Sequence, residues 1–180
     1  MSSSNSPFRG GGRSSGEPLD VAPDTPTVAN GESFAGDAPS WPVWGHAREV
    51  AALRQAIAGG RVSHAYLISG PGGVGKRALA LAFAEAALCE APQRSDPSWP
   101  CGVCSACRRI ARGAHPDVEV YDLALQARLA DRGGKNTTIT IETVRRLRAA
   151  TALRPMEGSR RFILLDDAET MQDAAQEALL

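Results

Sequence analysis

Two groups of residues in this chain have the types and spacing that chemistry needs. The first is the run Gly70, Pro71, Gly72, Gly73, Val74, Gly75, Lys76, Arg77. Glycines at this spacing let a backbone curl until its N–H groups point at phosphate oxygens, and a lysine at the end of the run reaches the β- and γ-phosphates. The next position ordinarily carries Ser or Thr, whose hydroxyl holds the magnesium of bound ATP. Here it is Arg77, a cation placed where a divalent cation should sit. Two such charges repel, unless the arginine turns to solvent. The matching acidic half is the apolar run "FILLDD", whose Asp166 would hold magnesium. Asp167 follows, one methylene shorter than the glutamate that polarises the attacking water in ATPases of this type. The reading allows ATP and Mg2+ as ligands and expects weak or no hydrolysis. No residue is assigned a catalytic role, and Asp167 is degenerate.

The second group is "CGVCSACRR", where Cys101, Cys104 and Cys107 follow a C-x2-C-x2-C pattern. Clustered thiols in a chain without a secretory leader point to metal rather than disulfides. A structural zinc needs a closed set of four ligands. The fourth is Cys89, with His115 of "AHPD" as the competitor. Gly102 suits the tight turn of such a knuckle. Nothing nearby supplies an open coordination position or a general base, so the expected role of the zinc is structural.

These groups need elements to hold them. "AREVAALRQAIA" has Val50, Leu53 and Ile57 at helical spacing, and Gly59-Gly60 stops it. "HAYLIS", residues 64–69, reads as a buried strand running into the glycine loop. "KRALALAFAEAALCE" reads as the helix after the loop, with Leu79, Leu81, Phe83 and Leu88 facing inward. Strand, glycine-rich loop and helix form the setting that a phosphate loop requires. "VEVYDL" and "FILLDD" read as second and third strands. Residues 124–138 read as a solvent-facing excursion. "ITIETVRRLRAATAL" reads as a helix with Val144, Leu147 and Thr151 on one face, and "TMQDAAQEALL" begins another.

Residues 1–40 are rich in Ser, Gly and Pro and poor in apolar side chains, the composition of a disordered tail. Residues 41–180 form one partial nucleotide-binding domain, with the cysteine insertion at about 89–107. The formal net charge is zero, so no global basic field advertises nucleic acid. No apolar run approaches the roughly 18 residues of a membrane span, and the N-terminus lacks the apolar core of a secretory signal. The expected location is cytoplasmic.

A phosphate loop, a four-cysteine insertion, "AHPD", "ITIETVRRL" and "FILLDDAETM", in this order, resemble the N-terminal ATPase domain of bacterial clamp-loader subunits. These are AAA+ proteins of the DNA polymerase III holoenzyme, and the resemblance covers about 41–180. It implies an α/β P-loop NTPase (AAA+) fold, three layers around a parallel sheet, truncated here, with a zinc-binding insertion. The family's five strands lie in the spatial order 5-1-4-3-2. "HAYLIS", "VEVYDL" and "FILLDD" would be strands 1, 2 and 3, and strands 4 and 5 would lie beyond Leu180. Strand 1 would then have no neighbour on either side.

Within the family, gamma/tau-type motor subunits normally keep Lys-Thr or Lys-Ser and Asp-Glu. Lys76-Arg77 and Asp166-Asp167 therefore resemble the delta-prime branch. That branch implies a stator in the assembly that loads the sliding clamp onto primed DNA. It would be part of a DNA-directed DNA polymerase holoenzyme, with its own ATPase very weak or absent. The implied partners are gamma/tau, delta, the clamp and primed DNA, with no membrane. The alternative is a gamma/tau-type motor. Two further classes fit less well. A nucleoside monophosphate kinase normally runs Gly-Lys-Gly-Thr and pairs its cysteines in twos. A zinc-dependent nucleic-acid module would use the basic runs "CRRIARG" and "RRLR", which more often form solvated helix faces.

Overall fold

The computed structural model describes residues 41, 43–91, 99–129 and 137–179. The tail at 1–40 lies outside them. Helix α1 (Ala47–Ala58) forms where the spacing predicts it. Its Val50, Leu53 and Ile57 are buried, and Gly60, at φ +66°, lets the chain leave it. Helix α2 (Lys76–Leu88) carries the end of the glycine loop. Four of its buried residues are alanines, at 82, 84, 86 and 87, which let neighbouring elements approach closely. Leu79, Phe83 and Leu88 are buried as expected, while Leu81 is only half-buried. Phe83 is the hub: its ring meets Tyr66 edge-on at 5.0 Å and Phe162 at 5.6 Å. Burying such a side chain stabilises the fold by about 1.5–3 kcal/mol. The core around it joins Trp41, Val50, Leu53 and Ile57 to Leu79, Trp99 and Cys107.

Helix α3 (Ser105–Ala111) leads into strand β1 (Val118–Tyr121). The chain then crosses through α4 (Leu123–Leu129) and α5 (Ile141–Thr151) to strand β2 (Phe162–Leu165). The strands pair in parallel, Val118 with Phe162 through Tyr121 with Leu165. A parallel pair needs such a crossover, and the helices provide it. A short 3-10 turn (Ala168–Thr170) and α6 (Asp173–Leu179) complete the described chain.

Three expectations change. Residues 65–69 join no ladder, as expected for a strand 1 without a neighbour, but the run is not buried: Leu67 is 91% exposed. Among the described residues no strand lies beside them, so the sheet has two strands rather than three. Tyr66 is held instead by its ring contact with Phe83. The excursion at 124–138 contains a helix, α4, and Gln126 on it is buried. Its Oε1 accepts from Thr140 N–H at 2.7 Å and Thr143 Oγ1 at 2.8 Å, and its amide donates to the Thr138 carbonyl. The start of α5 is thereby tied to α4, satisfying groups that a helix N-terminus leaves open. Val144 and Leu147 are buried on α5, but Thr151 is exposed and its hydroxyl donates to the Arg148 carbonyl at 2.7 Å. Residues 130–136 lie outside the described chain.

Candidate functional site

The loop at 70–77 has the geometry its glycines allow. Gly73 sits at φ +78° and Gly75, the N-cap of α2, at φ +94°. Any side chain at either position would be strained. The loop is closed upon itself. Lys76 Nζ donates to the carbonyls of Gly70 at 3.0 Å and Pro71 at 3.2 Å. His46 Nε2 lies 2.6 Å from the Val74 carbonyl oxygen.

Arg77 is about half exposed, yet its guanidinium is engaged by carboxylates. Its Nη1 donates to Asp122 Oδ2 at 2.6 Å and reaches Asp166 Oδ2 at 3.3 Å. The hydrogen bond to Asp122 foremost, then the charges of both carboxylates, raise the Arg77 pKa against its partial burial. Burial pushes the Asp122 carboxyl up, but the Leu125 N–H at 2.6 Å and Arg77 together hold it below the ordinary carboxylate range. Asp122 was not singled out from the sequence. The signal was there: "VEVYD" and "FILLD" are both strand-like runs ending in Asp, and parallel strands finish at the same end of the sheet. Asp166 also accepts from the Asp167 N–H at 3.1 Å, and Asp167 adopts φ +54° as the 3-10 turn begins. The residues present do not fit magnesium, because a guanidinium already bridges the two carboxylates.

The four thiols come together. The Sγ atoms of Cys89, Cys101, Cys104 and Cys107 lie within 4.8 Å of one another. Zn–S bonds of about 2.3 Å in a tetrahedron would set them roughly 3.8 Å apart. Cys89 is the C-cap of α2, Cys104 the N-cap of α3, and Cys107 lies one turn into α3. Backbone N–H groups point at sulfur throughout: Cys101 to Cys89 Sγ, Cys104 to Cys101 Sγ, and Cys107 to Cys104 Sγ, each at 3.4 Å. Such bonds favour thiolate, the form that binds metal. The N–H groups of Val103 and Cys104 bring the Cys101 thiol down to about 7, whereas burial pushes the Cys107 thiol up. Gly102, at φ +66°, makes the turn between the first two cysteines of the knuckle. The competitor His115 is buried elsewhere, its Nδ1 accepting the Asp117 N–H at 3.0 Å.

The same "HPD" run supplies a second residue that sequence reasoning passed over. Asp117 is fully buried and accepts from the N–H groups of Met156 at 2.6 Å, Glu157 at 2.9 Å and Gly158 at 2.7 Å. It pins the turn that delivers the chain to β2. Beside it, Arg161 pairs with Glu119 across the two strands. A cleft of about 880 Å³ borders β1, and Arg77, Asp122, Arg112, Arg128 and Arg146 line it. The basic runs of α3 and α5 thus contribute Arg112 and Arg146 to one cavity.

The sequence model of the family described as "DNA polymerase III, delta subunit" matches residues 45–180. DNA polymerase III subunit delta' of Pseudomonas aeruginosa is 40% identical over 124 residues, covering 68% of this chain and 34% of that protein. DNA polymerase III subunit gamma/tau of Mycobacterium tuberculosis is 32% identical over 138 residues, covering 77% of this chain and 22% of that one. DNA polymerase III subunit tau of Escherichia coli is 37% identical over 89 residues, covering 49% and 13%. The chain spans about a third or less of the length of these relatives.

Proposed function

The chain belongs to the family described as DNA polymerase III, delta subunit, and from that premise we propose that it serves as a delta-prime-type clamp-loader subunit. It would act as a stator of an AAA+ assembly that places the sliding clamp on primed DNA, with gamma/tau and delta as partners. The observation that carries the stator reading is Arg77 bridging Asp122 and Asp166, where a motor subunit holds a hydroxyl and magnesium. The similarity to subunit delta' supports the same branch. Among the described residues no helix is long and apolar enough to cross a membrane.

At the loop, the chain's own residues would bind phosphate rather than react with it. The N-terminus of α2 offers N–H groups and a positive dipole end. Lys76 would exchange the Gly70 and Pro71 carbonyls for phosphate oxygens, and the glycines would let the backbone follow. Asp167, with its short arm, is poorly placed to polarise water. A structural zinc fits the thiol set and would be held by Cys89, Cys101, Cys104 and Cys107. It would supply no reaction; it would cross-link α2 to the knuckle and α3.

The test is steady-state phosphate release by the chain, alone and with clamp, primed DNA and partner subunits. The expected result is no turnover above that of Lys76→Ala. Turnover that Lys76→Ala abolishes would favour the gamma/tau-type motor, a reading kept alive by the similarity to gamma/tau.

A further inference from the structure

We propose that Arg77 is the built-in cation of this site: its guanidinium occupies the place between Asp122 and Asp166 that a divalent metal would take, and the carboxylate pair therefore excludes Mg2+.

Tyr121 pairs with Leu165, and the Asp166 N–H donates to the Tyr121 carbonyl at 2.9 Å. Asp122 and Asp166 are therefore the next residues on adjacent parallel strands. Like charges placed side by side across a sheet destabilise it. Such a pair persists when it is protonated or when a cation sits between its members. Arg77 Nη1 lies within hydrogen-bond distance of both carboxylates, so a cation is the operative solution.

Helix α2 delivers that cation in its first turn. One nitrogen, Nη1, reaches Oδ2 of both carboxylates. Arginine is charged at every accessible pH, so protonation equilibria do not vacate the position. Magnesium would need several oxygens at about 2.0–2.1 Å in near-octahedral array. To gain them it would have to evict the guanidinium, and position 77 offers no hydroxyl in exchange. The cation of this site is thus covalently part of the chain. It staples the start of α2 to the ends of β1 and β2 whether or not anything else is bound.

The inference does not depend on the loop binding phosphate, and its test contains no nucleotide. Mn2+ is titrated into the full chain and followed by electron paramagnetic resonance. Mn2+ prefers oxygen and does not compete for the thiols. Wild type is expected to show no saturable site. Arg77→Ser should gain one, and the double variant Arg77→Ser, Asp166→Asn should lose it again. Arg77→Lys, which keeps a cation, should still exclude Mn2+. Mg2+ should raise the melting temperature of Arg77→Ser and leave that of wild type unmoved. Saturable Mn2+ binding by wild type that Asp166→Asn weakens would overturn the proposal. So would a folded Arg77→Ser that gains no site. Should Arg77→Ser fail to fold, the comparison of wild type with Asp166→Asn decides alone.

Discussion

Replacing Asp117 with Ala should cost about 3 kcal/mol of stability. The carboxylate accepts three backbone N–H groups, one on Oδ1 and two on Oδ2. A hydrogen bond to a charged acceptor contributes roughly 1.5–3 kcal/mol net. The full sum overstates the loss, because Met156 and Glu157 are exposed and water can reach their freed N–H groups. Gly158 is half-buried and keeps less access. Arg161 Nη1, at 4.0 Å, also loses a charge partner. Against a total stability of about 5–15 kcal/mol for an ordinary domain, such a loss is large. Asp117→Asn should cost about half as much. Its one carbonyl oxygen can still serve Glu157 and Gly158, but its amino group faces the Met156 N–H. Urea unfolding at pH 7, read as the midpoint at constant slope, measures both. The acid limb gives an independent reading. Burial pushes the Asp117 carboxyl up, but the N–H groups of Gly158, Met156 and Glu157 outweigh it and hold its pKa below the ordinary value. Its contribution is thus complete above the unfolded pKa of about 3.9 and is lost as pH falls through the lower folded value. Asp117→Asn should lack that part of the acid loss. A cost for Asp117→Ala within about 0.5 kcal/mol of zero, the usual range for an inert surface site, would refute the reasoning.

Two more outcomes follow from geometry. A Cβ added at Gly158 would stand 2.6 Å from Leu88 Cδ2 and 3.3 Å from the Arg160 carbonyl oxygen, so Gly158→Ala should destabilise by about 1–3 kcal/mol; thermal unfolding would show it as a lowered midpoint. Purified protein should carry about one zinc per chain, and both Cys104→Ser and Cys89→Ser should lose it, as metal analysis would register. Zinc retained by Cys89→Ser would move the fourth ligand to His115 or elsewhere.

What the sequence made legible was local. The triple cysteine spacing and the spacing of Val50, Leu53 and Ile57 are read within a few turns of chain, and the structure gathers those residues as expected. The apolar run at 64–69 was misread because burial is set by neighbours that spacing does not contain. Leu67 has the composition of a strand residue and stays exposed. Asp122 and Asp117 were passed over for a related reason. The role of Asp122 exists only once β1 and β2 pair in register and α2 sets Arg77 between their ends. Asp117 matters because a turn about 40 residues later brings three N–H groups to it. Arg77 stands out in the sequence where a magnesium site has Ser or Thr, but its place between two carboxylates depends on Asp122 as well as Asp166.

Helix α2 is fastened at its two ends by unlike chemistries. At one end Arg77 is clamped by carboxylates; at the other Cys89 joins the thiol cluster. The rod between them, 13 residues long, spans about 20 Å. The first fastening is ionic and partly open to solvent, so salt weakens it. The second answers to oxidants and, when zinc-loaded, to chelators, and salt leaves it alone. The two ends of the rod therefore answer to different agents, salt at the glycine-loop end and oxidants or chelators at the thiol end.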